Sequence, residues 1–209
     1  MKLILAITAI IVATNAMAAT NRAFVSNERS DSVSVVDILT NKVIKTVQVG
    51  KRPRGVGISP DGNEVYVAIS ADNAIAVLDP AKMEVIRTFA SGDDPEAFAI
   101  HSNGNLYISN EEDAMASVYD PRTGALLATI DVGIEPEGVA VAPDGTRVAV
   151  TSESTNLVHI IGVPEHTIQN NVLVGARPRS VVFSNDSQII YVTAEIGGEV
   201  KKIAADTGT

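Results

Sequence analysis

The chain has 209 residues, no cysteine and no tryptophan, and its 25 acidic against 16 basic side chains give a formal net charge of −9. Without cysteine it can hold no disulfide, thiolate metal site, iron–sulfur cluster or C-x-x-C-H haem, so packing and sheet hydrogen bonds must stabilise it. An acidic chain with few aromatic residues also lacks the charge and stacking platforms for nucleic acid; the charge either simply maintains solubility or favours a basic partner.

The N-terminus has the three parts of a secretory signal: a positive start at Met1-Lys2, an apolar run from Leu3 to Val12, and an A-x-A site at Ala16-Met17-Ala18. The apolar run is too short to cross a bilayer, so residues 1–18 are expected to be cleaved and 19–209 exported without a membrane span. Loss of Lys2 takes the net charge to 15 − 25 = −10.

Beyond the signal the chain repeats. Gly50-Lys51-Arg52-Pro53 returns as Gly92-Asp93-Asp94-Pro95, Gly133-Ile134-Glu135-Pro136 and Gly175-Ala176-Arg177-Pro178, with prolines 42, 41 and 42 residues apart. The turn Ser59-Pro60-Asp61-Gly62 recurs at Ser102-Asn103-Gly104, Ala142-Pro143-Asp144-Gly145 and Asn185-Asp186-Ser187. A strand signal opens at Phe24-Val25-Ser26-Asn27, Tyr66-Val67-Ala68, Tyr107-Ile108-Ser109-Asn110 and Tyr191-Val192-Thr193. Three markers in one register define a structural repeat.

Within one period the sequence predicts four short strands, at 55–58, 65–69, 74–78 and 85–89, separated by turns in which Pro presets one φ and Gly permits a positive one. Four antiparallel strands every ~42 residues is the sequence form of a β-propeller blade. A β-solenoid would use shorter coils, and a sandwich needs no repeated register.

The Tyr-Val-x-Asn strand, the Gly-x-x-Pro loop and the Ser-Pro-Asp-Gly turn resemble those of the YVTN-repeat β-propellers. The ordered loop variants Arg52-Pro53-Arg54-Gly55, Asp94-Pro95-Glu96, Asn110-Glu111-Glu112-Asp113, Glu135-Pro136-Glu137-Gly138, Thr151-Ser152-Glu153-Ser154-Thr155-Asn156, Arg177-Pro178-Arg179 and Ala194-Glu195-Ile196-Gly197-Gly198 are similar to those of the PQQ-dependent catabolism-associated β-propeller proteins. The resemblance runs along essentially the whole mature chain. It implies a non-catalytic periplasmic protein that accompanies pyrroloquinoline-quinone-dependent oxidation of alcohols, with a quinoprotein or an export system as partner. It also implies seven blades. At ~42 residues per blade the chain supplies about four and a half, with 190–203 read as the second and third strands of a fifth blade, so an incomplete propeller is expected.

The residues flanking each repeat proline alternate in charge: Arg52/Arg54, Asp94/Glu96, Glu135/Glu137 and Arg177/Arg179. In a propeller these loops enter the innermost strands at the mouth of the central channel. Two readings follow. Neighbouring blades of opposite sign could pair through partly exposed salt bridges, each contributing about 0–1 kcal/mol, or the eight residues could form a polar pocket for a ligand or a partner's loop.

The loops joining second and third strands share that end. They carry Glu28, Asp31, Asp72, Glu111, Glu112, Asp113 and Glu153 and read as a solvated acidic face, since no D-x-[DN]-x-[DN]-G calcium loop is present. An alternative function is a metal-dependent, lactonase-like hydrolase with Glu96 and Glu137 as ligands, although Arg54 and Arg179 at the equivalent places would repel a cation. A haem-carrying redox propeller ranks lower, because His101, His159 and His166 fall at unrelated repeat positions. No bound cofactor or metal is expected. Tyr66, Tyr107 and Tyr191 recur at blade period, which predicts packing between blades.

Overall fold

The computed structural model describes residues 21–209, so the signal segment lies outside the described residues. Among these residues, eighteen strands form five antiparallel sheets, each built from strands consecutive in sequence. The first sheet comprises β1 (Arg22–Asn27), β2 (Ser32–Asp37) and β3 (Lys42–Gln48). The second has β4 (Pro53–Ile58), β5 (Val65–Ile69), β6 (Ala74–Asp79) and β7 (Glu84–Ala90). The third has β8 (Pro95–Ile100), β9 (Leu106–Asn110), β10 (Met115–Asp120) and β11 (Ala125–Asp131). The fourth has β12 (Pro136–Val141), β13 (Arg147–Ser152), β14 (Leu157–Gly162) and β15 (Thr167–Leu173). The fifth has β16 (Pro178–Phe183), β17 (Ile189–Ala194) and β18 (Glu199–Ala204). The expected all-β propeller of four-stranded blades is present, with three complete sheets between two of three strands.

The sheets stack face to face because the second and third strands of the complete sheets are largely apolar on both faces. In β5, Val65, Val67 and Ile69 turn toward Val33, Val35 and Val47 of the first sheet. The alternate residues Tyr66 and Ala68 turn toward Leu106, Ile108 and Tyr119 of the third. The same division of alternate side chains recurs at the next two boundaries, through Tyr107, Val148 and Val150 and then through Ala149, Ile190 and Val192. Tyr66 and Tyr107 are buried in these layers as expected. Tyr191 is 39% exposed, because it lies with Val182 and Val200 on the face of the fifth sheet that no further sheet among the described residues covers.

The first strands β4, β8, β12 and β16 pack against one another and so line the inside of the arc. With consecutive antiparallel strands, the Gly-x-x-Pro loops and the loops joining second to third strands must share one end. The turns joining first to second strands and the third-to-fourth hairpins share the other. Aspartates tie down the hairpins there: Asp37 Oδ1 accepts from the Leu39 and Thr40 amides at 2.8 and 2.9 Å, and Asp79 Oδ1 from Ala81 and Lys82 at the same distances.

Candidate functional site at the loop end of the inner strands

Each inner strand carries an irregularity just past its proline: register shifts lie between Pro53 and Val56, Pro95 and Phe98, Pro136 and Val139, and Pro178 and Ser180. The shifted segment holds one charged residue (Arg54, Glu96, Glu137, Arg179) followed by one small residue (Gly55, Ala97, Gly138, Ser180). A bulge of this kind re-aims a side chain that a regular strand would point into a sheet face. The small residue is required by the neighbouring backbone. A Cβ on Gly138 would stand 2.6 Å from the Arg179 carbonyl oxygen, and one on Gly55 would stand 3.1 Å from that of Glu96.

The bulges leave backbone groups without ladder partners, and in the third, fourth and fifth sheets a hydroxyl from the second strand satisfies one of them. Ser109 Oγ accepts from the Ala97 amide at 3.0 Å and donates to the Glu137 carbonyl at 2.7 Å, so it joins two sheets. Thr151 accepts from the Gly138 amide at 2.8 Å, and Ser26 donates to the Arg54 carbonyl at 2.7 Å. These hydroxyls occupy the third position of the Tyr-Val-x-Asn strand. In the sequence that motif marks the register, and the recurring Ser or Thr within it is the signal for this latch.

The Gly-x-x-Pro loops are fixed from the preceding sheet. The amides of Arg52, Asp94 and Arg177 each donate at 3.0 Å to a side chain of the second-to-third-strand loop, namely Asp31, Asn73 and Asn156. Those acceptors sit in the left-handed region, with φ of 54, 53 and 58°, which Asn and Asp tolerate better than other side chains. Ala114 holds the equivalent place at φ 55° and offers no acceptor.

The structure brings the charged residues into one band across the sheets. Arg52 reaches Glu28 at 3.3 Å, Asp94 at 3.0 Å and Glu96 at 3.2 Å, and Arg54 pairs with Glu96 and with Glu28 at 3.3 Å. At the other end Arg177 reaches Glu153 at 2.7 Å and Glu195 at 3.4 Å, and Arg179 pairs with Glu137 at 3.1 Å and with Glu153. Glu135 accepts a hydrogen bond from Ser154. The inter-blade pairing expected from the alternating charges is therefore present. Glu153 corrects the reading of a solvated acidic face, because its carboxylate is buried beneath the two arginines that bind it.

Burial and charge act on these groups in opposite directions. Burial pushes Glu96 up to about 7 despite the opposing pull of Arg54 and Arg52. Burial likewise takes Glu137 to about 7 against the pull of Arg179. Glu111 is raised by burial and then by the charge of Asp94. Glu153 would be raised by burial, but the hydrogen bond from Arg177 and the charge of Arg179 hold it below the usual carboxylate range.

Among the described residues, Asp94, Glu96 and Glu111 bring one carboxylate oxygen each within 4.8 Å of one another. Glu137 is outside that group, so the Glu96–Glu137 ligand pair expected for a hydrolase is replaced by a different triad, and two guanidinium groups already lie against its central member. The histidines serve elsewhere as structural groups. His101 bonds to the Gly145 carbonyl at 2.9 Å, His159 to Asn171 at 2.7 Å and His166 to Tyr107 at 3.3 Å.

Latched, bulged inner strands and a charged loop end define a β-propeller. The chain belongs to the YncE-like β-propeller family, whose family model matches residues 3–110. It is 23% identical over 206 residues to antigen Lp49 of Leptospira interrogans, covering 88% of this chain and 45% of that protein. It is 26% identical over 188 residues to YncE of Salmonella typhi, covering 85% and 52%. The chain thus spans about half the length of the curated relatives it matches. A solved structure of hydrazine synthase from Kuenenia stuttgartiensis superposes with a TM-score of 0.79 at 22% identity, over 88% of this chain and 63% of that one, which shows the shared fold.

Proposed function

We propose that this chain is a non-catalytic binding and scaffold propeller, exported to the periplasm, that acts as an accessory to pyrroloquinoline-quinone-dependent alcohol oxidation. Its loop end is the face that meets the partner, a quinoprotein or an export component. One observation carries this reading. The third and fourth sheets present the part-exposed Asp94, Glu111 and Glu135 above the buried Glu96, Glu137 and Glu153, while Arg52, Arg54, Arg177 and Arg179 flank them and all four are already engaged with carboxylates. The surplus is negative and suits a basic surface. The signal segment supports export, and the loop variants support the link to quinoprotein oxidation.

The hydrolase alternative rests on the Asp94–Glu96–Glu111 triad. The guanidinium groups of Arg52 and Arg54 at Glu96 oppose a divalent ion there, so binding is the preferred function.

The test pairs a gene deletion with titration of the exported protein against the purified quinoprotein alcohol dehydrogenase of the same organism. A slowed quinone-dependent oxidation and an association that weakens with salt support the proposal. Unchanged oxidation together with no association at low ionic strength refutes it.

A further inference from the structure

The repeat places one residue of each second-to-third-strand loop opposite one residue of the following Gly-x-x-Pro loop. These facing positions hold Glu28 and Arg52, Ser70 and Asp94, Glu111 and Glu135, and Glu153 and Arg177. Two of the four are ion pairs, Glu28–Arg52 at 3.3 Å and Glu153–Arg177 at 2.7 Å. At the boundary between the third and fourth sheets the same backbone frame instead sets Glu111 against Glu135. The acceptor carboxylate is retained where the first and fourth sheets use it, and the guanidinium that would answer it is replaced by a second carboxylate.

A second observation lies beside this boundary, on β8 where the third sheet meets the second. The Glu96 side chain is 1% exposed, and its Oε1 receives no hydrogen bond among the described residues. Its neighbour Arg52 Nη2 stands 3.2 Å away outside hydrogen-bonding geometry. A buried carboxylate oxygen held by charge alone, with no directional donor, can still accept a hydrogen bond. It belongs to the same oxygen cluster as Glu111 and Asp94.

We propose that the boundary between the third and fourth sheets is a receptor for a guanidinium group, an arginine side chain presented by a partner protein and held between Glu111 and Glu135. This rests on the binding function proposed above and names the chemistry of the contact. A planar guanidinium is favoured over a compact ion because the frame already seats guanidinium groups at two equivalent positions, and its fork matches a pair of carboxylates. A singly charged donor is also repelled less than a divalent metal by Arg52 and Arg54 nearby. The site lies in the middle of the described residues, with complete sheets on both sides.

The experiment is an amide NMR titration of the full exported chain with N-acetyl-arginine methylamide, its lysine counterpart and calcium chloride as separate probes. The arginine probe is expected to saturate, shifting the Glu111, Glu135 and Gly138 amides, and to bind several-fold more tightly than the lysine probe. Glu111→Gln and Glu135→Gln each weaken it at least fivefold. Glu135→Arg supplies the missing guanidinium from within the chain. It abolishes probe binding and raises the melting temperature by about 1–3 °C, the size expected for one added, partly exposed ion pair.

Absence of arginine binding, a preference for calcium, or undiminished binding by a folded Glu135→Arg variant overturns the inference. If the arginine probe fails while the quinoprotein still associates, only this inference falls. If both fail, the proposed function falls with it.

Discussion

Arg54 and Glu96 occupy the same bulge position in consecutive inner strands, and they meet as an ion pair whose acidic member is almost wholly buried. The pair therefore couples the second sheet to the third at the rim of the charged end. Removing Arg54 leaves Glu96 desolvated with only the off-axis contact to Arg52. Arg54→Met is expected to destabilise the fold by roughly 2–4 kcal/mol, and Arg54→Met with Glu96→Met to recover most of that loss, because an apolar pair requires no charge to be desolvated. Urea denaturation of both variants measures the difference.

Glu96 and Glu137 both titrate near 7 in the fold, above the ordinary glutamate value of 4.5. A raised carboxyl pKa means that the folded state holds protons the unfolded state releases. The associated stability is complete below about pH 4.5, and it is lost as pH rises through about 7. Melting temperature should accordingly fall between pH 5 and pH 8. The double variant Glu96→Gln, Glu137→Gln should flatten that slope.

Ser109 is the only side-chain hydroxyl among the described residues seen to bond the bulge of its own sheet and the carbonyl of the next inner-strand bulge at short range. Ser109→Ala strands the Ala97 amide and the Glu137 carbonyl in a buried site. The expected cost is about 1–3 kcal/mol. Ser109→Thr keeps the hydroxyl, as Thr151 does in the next sheet, and should lose less. Thermal unfolding separates the two variants.

Ala114 adopts a left-handed conformation that its side chain neither favours nor uses. Ala114→Asn restores the residue type found at positions 73 and 156 and supplies an acceptor for the Glu135 amide. A gain of about 0.5–1.5 kcal/mol is expected. Amide exchange at Glu135, slower in the variant, would show that the new hydrogen bond has formed.

The blades were legible in the sequence because their signals are local. The predicted strands at 65–69 and 74–78 match Val65–Ile69 and Ala74–Asp79 to within a residue, since β-branched runs end at turn residues with fixed φ requirements. The pairing of opposite charges was legible too, because repeat spacing alone puts Arg54 beside Glu96 and Glu137 beside Arg179. The depth of each charge was not. Glu111 and Glu153 sit at one repeat position, yet Glu153 is buried and clamped while Glu111 is only half-buried. The difference comes from the next loop, which offers Arg177 to one and Glu135 to the other. The bulges leave no such signal, for they arise from contact between inner strands whose periodicity differs little from that of a regular strand.

Gly55, Ala97, Gly138 and Ser180 let neighbouring inner strands touch through their backbones, while the charged residue before each of them is turned out of the sheet. The spacing between blades is therefore set by atoms common to every amino acid, and the display at the loop end is set by side chains that bear little on that spacing. Arginine and glutamate alternate on an unchanged frame for this reason. Such a frame can be rewritten one blade at a time, so a lineage can acquire a new specificity by single substitutions without first redesigning the architecture that presents them.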